Sequence, residues 1–266
     1  VKMENIIKLN GHPEYQLSGV ELCMESFEIY NEDIYDLLVE PKKDKTTGAV
    51  LRTKLQMKER DNKSFFIKGL NTIEFHSRTQ AETILDKCLT NRTLADTLLN
   101  SNSSRSHTIF KLILRMVYHS SAHKCLTESS LCIVDLAGSE RSKRTENLAS
   151  QMLEACNINK SLLVLGRCLK AFKESQNSNY SMVVPYRDTK LTRVLYEYFH
   201  EGNNLRMIAN INPSQTDFEE SMRVLNYAAI AKDIQPIKSR IDSSRKVFFT
   251  DNTLSEFTRM KTDETI

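Results

Sequence analysis

The chain has 266 residues, of which 40% are hydrophobic and 27% charged. That is enough for one large domain or two small ones around a sizeable core, and it argues against wholesale disorder. No apolar run approaches the ~18 residues that cross a bilayer, and no charged-then-apolar leader opens the chain, so no membrane partner is expected. The formal net charge of +3 is unevenly placed. Between Arg141 and Arg206 there are eleven Lys/Arg against six Asp/Glu, which leaves the remainder net negative; an acidic polymer suits this stretch as a partner. Six cysteines without a CxxC pair read as buried reduced thiols of a cytosolic or nuclear protein. Only seven glycines are present, and no two have the spacing of GxxxxGK(S/T) or GxGxxG, so the chain carries no Gly-rich phosphate cradle of its own. A first residue of Val1 in place of Met suggests a piece of a longer polypeptide.

In chain order, VELCMESFEIY (20–30) is rich in β-branched and aromatic residues and predicts a strand, followed by a short turn or helix over NEDIYDLL (31–38). Polar loops surround one short strand near 50–57, and SFFIKGL and NTIEF predict two more. Ser77 with Gln80 three residues on forms a capping box, and Ala81, Ile84, Leu85, Cys88 and Leu89 then recur at helical spacing. TIFKLILRMV (108–117) alternates as a strand with one face more buried than the other. SLCIVDL (130–136) is an unbroken apolar run, which predicts a strand buried on both faces that ends in Asp135. Ile158, Leu162, Leu165, Leu169 and Phe172 predict a helix over about 157–174. Pro185 opens a second basic segment, helical in its later half; RMIANIN (206–212) predicts a last strand, and a capped helix follows it with Phe218, Met222, Leu225 and Ala229. After Pro236 the chain is polar and without clear period, as in a linker or tail. The interleaving of strands and helices predicts an α/β fold with a central sheet covered on both faces.

Two short segments carry candidate chemistry. In NSNSSRSH (100–107), clustered hydroxyls, amides and a guanidinium suit phosphate oxygens and hydrated Mg²⁺, although by composition alone it reads as a solvated loop. In DLAGSE (135–140), Asp135 ends an apolar strand where a carboxylate can hold metal-bound water, and Gly138 lets a backbone N–H approach a terminal phosphate. A strand-ending turn explains that segment about as well. His119 and His123 lie in a polar stretch without a third ligand type, so no metal site is assigned to them. GxSxG is absent, and no Ser/His/Asp hydrolase arrangement is argued. The basic stretch resembles neither a base-stacking platform nor a recognition helix, so no nucleic-acid partner is expected.

Together NSNSSRSH and DLAGSE resemble switch I and switch II of the kinesin motor domain. FEIYNEDIYDLL, NRTLADTLLNSNSSRSH, NINKSLLVLGRCLKAF, VPYRDTKLTRVL and NPSQTDFEESMRVLNYAAIAKDI are similar to kinesin blocks in kinesin order, over roughly 20–235. ERSKRTEN and the NINKSL context look most like the mitotic, central-spindle subgroup. The resemblance implies a P-loop NTPase-like α/β motor core, incomplete at its N-terminal side, over 1–235, and a neck-linker or tail-like segment over 236–266. It implies ATP and Mg as cofactors, a microtubule-stimulated ATPase when intact, microtubules as partner, and a cytoskeletal place in the cytoplasm that extends to the spindle. A homodimer, if formed, would use regions outside this chain.

Residue by residue, the resemblance puts Asn100, Ser103 and Ser104 near the γ-phosphate and the Mg²⁺ shell. Arg105 would pair with Glu140 when the pocket closes, Asp135 would hold Mg²⁺ through water, and Gly138 would sense the γ-phosphate. It turns Lys160, Arg187, Lys190 and Arg193 toward tubulin, with Arg141 and Arg144 in a loop that orders on the filament. Two departures accompany it. The family's GxTxSGKT loop is absent, which fits either a fragment of a motor or a non-catalytic motor that keeps only its track-binding half. Ala149 and Gln151 stand where many kinesins carry Gly and Arg.

Overall fold

The computed structural model describes residues 16–43, 45–46, 50–60, 64–99, 105–119, 123–138, 149–177, 183–200, 205–232, 234 and 246–251. Its spine is three long antiparallel strands. β1 (Gln16–Tyr30) pairs with β8 (Ser106–His119) along nearly its whole length, and β8 pairs in turn with β9 (His123–Asp135). The shorter strands β2 (Asp33–Asp36), β5 (Lys54–Glu59) and β6 (Phe65–Lys68) extend the sheet beyond β1, and β7 (Ile73–Glu74) also pairs with β1. β10 (Lys246–Asp251) lies against the outer edge of β9, and β3 (Lys42–Lys43) with β4 (Val50–Leu51) forms a separate two-stranded ribbon. Every one of these pairings is antiparallel.

Side chains alternate across the sheet, so its two faces are built from different residues. One face carries Phe27 and Ile29 of β1, Ile109 of β8 and Val134 of β9. It packs against Leu165 and Leu169 of the long helix α2 (Ala149–Asn177) and Leu191 and Leu195 of α3 (Lys190–His200). Fully burying each such side chain stabilises the fold by about 1.5–3 kcal/mol. Tyr227 and Ile230 of α4 (Phe218–Lys232) join the same core. On the opposite face Phe110 packs with Ile84 and Cys88 of α1 (Arg78–Leu99). The expected helices on both faces are therefore present.

One local prediction holds and another is corrected. The Gln80 N–H donates to Ser77 Oγ at 3.2 Å at the start of α1, while Gln80 Oε1 accepts the His76 N–H at 2.7 Å. NEDIYDLL, predicted as a short turn or helix, is a two-residue hairpin turn followed by the strand β2: Asn31 and Glu32 have φ of 51° and 63°, and Tyr30 faces Asp33 across the ladder. A type I′ hairpin turn, which follows the strand twist, needs positive φ at both central residues. Asn adopts that conformation readily, whereas a residue such as Glu does so at about 1–2 kcal/mol.

Three expectations change. Residues 206–212, predicted as a strand, are irregular and exposed, with Ile208 85% and Ile211 52% accessible. An apolar run becomes a strand only when a ladder partner takes up its N–H and C=O groups, and no described residue does so here. SLCIVDL is covered on one face only: Cys132 and Val134 point into the core, while Leu131 and Ile133 are 59% and 54% exposed. Val20 and Leu22, on the same face, are also exposed. Within the tail-like segment after residue 236, β10 forms on β9 even though its sequence lacks a long period.

The close approach of α2 and α4 depends on one glycine. A Cβ on Gly166 would sit 2.9 Å from Tyr227 Oη and 3.0 Å from Cζ of the same ring. The ring is rigid, so Gly166→Ala must push α4 off α2. We expect a loss of about 1–3 kcal/mol by urea unfolding. Tyr227→Phe in the same background restores only part of it, because Cζ and Cε2 still clash.

Candidate functional site

The candidate site lies where β8 begins and β9 ends. Thr108 and Asp135 are ladder partners, so the exit of the hydroxyl-rich loop and the entry of the DLAG segment are neighbours across one sheet. His107 joins them. Its Nδ1 accepts the Ala137 N–H at 2.9 Å, and its Nε2 lies 2.7 Å from Ser161 Oγ on α2. A backbone N–H can only donate, so Nδ1 is bare, the ring proton sits on Nε2, and Nε2 donates to Ser161. His107, Ala137 and Ser161 are all buried. Burial pushes the imidazole down to about 4, against an opposing pull from Asp135.

Asp135 itself is 63% exposed at the strand end, and one of its oxygens accepts Arg92 Nη1 at 2.9 Å. Arg92 comes from α1 and is largely buried, so the helix that precedes the loop fixes the orientation of the carboxylate. Among the described residues, the hydroxyls of Ser106 and Thr108 on this sheet end are buried without a hydrogen-bond partner. Of the residues expected near nucleotide, Arg105, Asp135 and Gly138 fall here, flanking the junction. Asn100, Ser103, Ser104 and Glu140 lie outside the described residues, as do Arg141 and Arg144 of the expected track face.

The basic flank is built around the start of α3. Lys160 is exposed on α2. Arg187 pairs with Glu59 of β5. Arg193 folds back on the loop, its Nε and Nη2 donating to the Arg187 carbonyl at 3.0 and 2.6 Å. Tyr186 and Tyr196 stack with centroids 4.0 Å apart, and Phe65 of β6 meets both edge-on. The Lys190 N–H donates to Glu32 Oε2 at 3.0 Å. Part of the cationic surface is therefore engaged in holding its own loop in shape.

His107, Ser161 and Arg92 fall inside the motif segments without a role of their own. The available signal was a histidine opening a buried strand, where an ordinary ring would have to find polar partners or stay neutral. Arg92 carried no local signal, since its partner is 43 residues away.

The start of β8 and the end of β9 thus meet beside the long helix α2, with a cationic flank at the start of α3, in a protein of the α/β class. The kinesin motor domain family matches residues 2–234, and the chain belongs to that family. Mouse kinesin-like protein KIF23 is 35% identical over 242 residues, covering 88% of this chain and 25% of the relative. The fruit-fly kinesin-like protein subito is 39% identical over 238 residues, covering 89% of this chain and 37% of the relative. Among solved structures, a KIF14 dimer bound by two heads to a microtubule with AMP-PNP superposes with a TM-score of 0.69 at 30% identity, over 85% of this chain and 60% of that one. A structure named kinesin 6 gives 0.65 at 29% identity, over 83% of this chain and 57% of that one. These matches support the mitotic, central-spindle subgroup expected from the sequence. The chain spans between a quarter and two fifths of the curated relatives just named.

The buried histidine makes a pH prediction. Its folded value of about 4 lies below the ordinary 6.5, so between those values the unfolded chain takes up a proton that the folded chain refuses. This contribution is complete above about pH 6.5 and is lost as pH falls toward 4, about 3 kcal/mol in all. We expect His107→Gln to flatten the dependence of the urea midpoint on pH across that window. An unchanged slope would show that another group governs it.

Proposed function

We propose that this chain is the nucleotide-sensing and track-binding part of an ATP-driven microtubule motor. The observation that carries the reading is the junction of the two loop ends: Thr108 laddered to Asp135, with His107 accepting the Ala137 N–H. A change in either loop must be felt by the other and, through Ser161, by α2, which carries Lys160. Loss of a γ-phosphate can release two such loops and so turn bond breaking into a change of shape.

The residues present fit a magnesium nucleotide as one half of its site. Arg92 occupies one oxygen of Asp135 and orients the exposed carboxylate for metal-bound water, and Asn100, Ser103 and Ser104 supply acceptors of the kind a hydrated cation takes. Magnesium, when bound, neutralises charge on the transferring phosphoryl group. Gly138 offers its N–H to the terminal phosphate, and Arg105 closing on Glu140 excludes bulk water from the site. No GxxxxGK(S/T) loop is contributed by these 266 residues. The track face is assigned to Arg141, Arg144, Lys160, Arg187, Lys190 and Arg193, set against the acidic surface of tubulin. The reading places the protein on microtubules in the cytoplasm and at the spindle, and any dimer contact outside residues 1–266.

In the full-length protein, Glu140→Ala is expected to abolish microtubule-stimulated ATP turnover while the variant still pellets with microtubules. Wild-type turnover in that variant would remove the switch assignment, and absence of turnover in the unmutated protein would favour a non-catalytic track binder. Separately, Lys190→Ala with Arg193→Ala should weaken co-sedimentation with microtubules, and the deficit should shrink as salt rises and screens the remaining pairs. Sedimentation unaffected at low salt would take this face out of the interface.

A further inference from the structure

The turn between β1 and β2 combines two features that need a common reason. Glu32 is held at a φ of 63°, a conformation that a glycine or asparagine would occupy with less strain. From that position its carboxylate crosses to a helix 158 residues later and accepts the N–H of Lys190, the first residue of α3. The first N–H groups of a helix have no partner within it, and a carboxylate there also meets the positive end of the helix dipole. Thr189 supplies a separate cap to Thr192, its Oγ1 accepting that N–H at 3.3 Å, and Thr192 Oγ1 donates to the Tyr186 carbonyl at 2.7 Å.

The same turn is also tied to the candidate site. Tyr30, immediately before it, is the ladder partner of Ser106, the residue after Arg105. Ile34, just beyond it, is packed in one cluster with Leu191 and Leu195. The turn thus touches the exit of the hydroxyl-rich loop on one side and the root of the basic helix on the other. We propose that Glu32 is a positioning residue for the track-facing segment Arg187–Arg193, and that its carboxylate sets where α3 begins relative to the β1–β8 strand pair. The positive-φ backbone is kept because it aims the carboxylate at Lys190. This inference rests on the microtubule reading given above and adds to it a residue that is not itself a track contact.

Three variants of the full-length protein test it, each measured for microtubule affinity by co-sedimentation, for melting temperature, and for hydrogen exchange at the Lys190 amide. Glu32→Ala removes the acceptor, and we expect faster exchange at Lys190 with about fivefold weaker microtubule binding. Glu32→Gln keeps an acceptor oxygen and is expected to bind within about twofold of the unmutated protein. Glu32→Gly relieves the backbone, so its melting temperature should equal or exceed that of Glu32→Ala while its binding stays as weak. Binding that follows melting temperature across the three variants would reduce Glu32 to a stability role and overturn the proposal. So would unmutated affinity in Glu32→Ala once Lys190 exchange has risen. Failure of the unmutated protein to pellet would instead defeat the microtubule reading and the role of Glu32 with it, an outcome told apart because Lys190 exchange is read without filaments.

Discussion

A neutral imidazole at the meeting point of β8, β9 and α2 is the constraint on which the candidate site depends. His107 can accept from the backbone of the DLAG segment only while Nδ1 is bare, and it can then offer its one proton to Ser161. A charged ring would point a second N–H at a backbone N–H in a dry environment, which is among the most costly arrangements a core can hold. The junction therefore has one protonation state and one geometry. Both loops hang from strands whose register is fixed within hydrogen-bond distance of that ring. The proposed coupling of the two loops needs this rigidity, because a soft junction would absorb any movement.

The basic flank follows the same logic with charges instead of a neutral group. Arg187 is tied to Glu59, Arg193 folds onto the Arg187 carbonyl, and Phe65 closes an aromatic wedge between the β5–β6 hairpin and α3. Exposed ion pairs contribute little to stability individually. Here they hold long flexible side chains in a few orientations, so that, on the proposed track-binding reading, less freedom remains to be lost on contact with an acidic surface.

The elements with strong local period were legible from the residues. The alternation over 108–117, the capping box at Ser77 and the helical stripe through Leu165 and Leu169 each appear where the pattern placed them. The failures share one physical cause, which is that period does not reveal what lies alongside. RMIANIN has the composition of a strand, yet no described residue supplies its ladder. SLCIVDL has the composition of a strand covered twice, yet Leu131 and Ile133 face outward. At the site, motif order brought out Asp135 and Gly138. The partners of Asp135 and His107 come from α1 and α2, and a side chain's environment across such separations is decided by packing. NEDIYDLL does not show a tight hairpin, since Glu rarely occupies positive φ, and the Lys190 N–H that Glu32 accepts lies 158 residues away.

The register of the central pair sets the timetable of synthesis. On one edge Tyr30 meets Asp33 within a few residues, but on the other it waits for Ser106, as Gln16 waits for His119, so that edge of β1 leaves the ribosome unpaired. At about 5–20 residues per second the interval is several seconds. Throughout it, the β8-facing edge of a strand bearing Phe27, Ile29 and Met24 offers unpaired N–H and C=O groups to other chains.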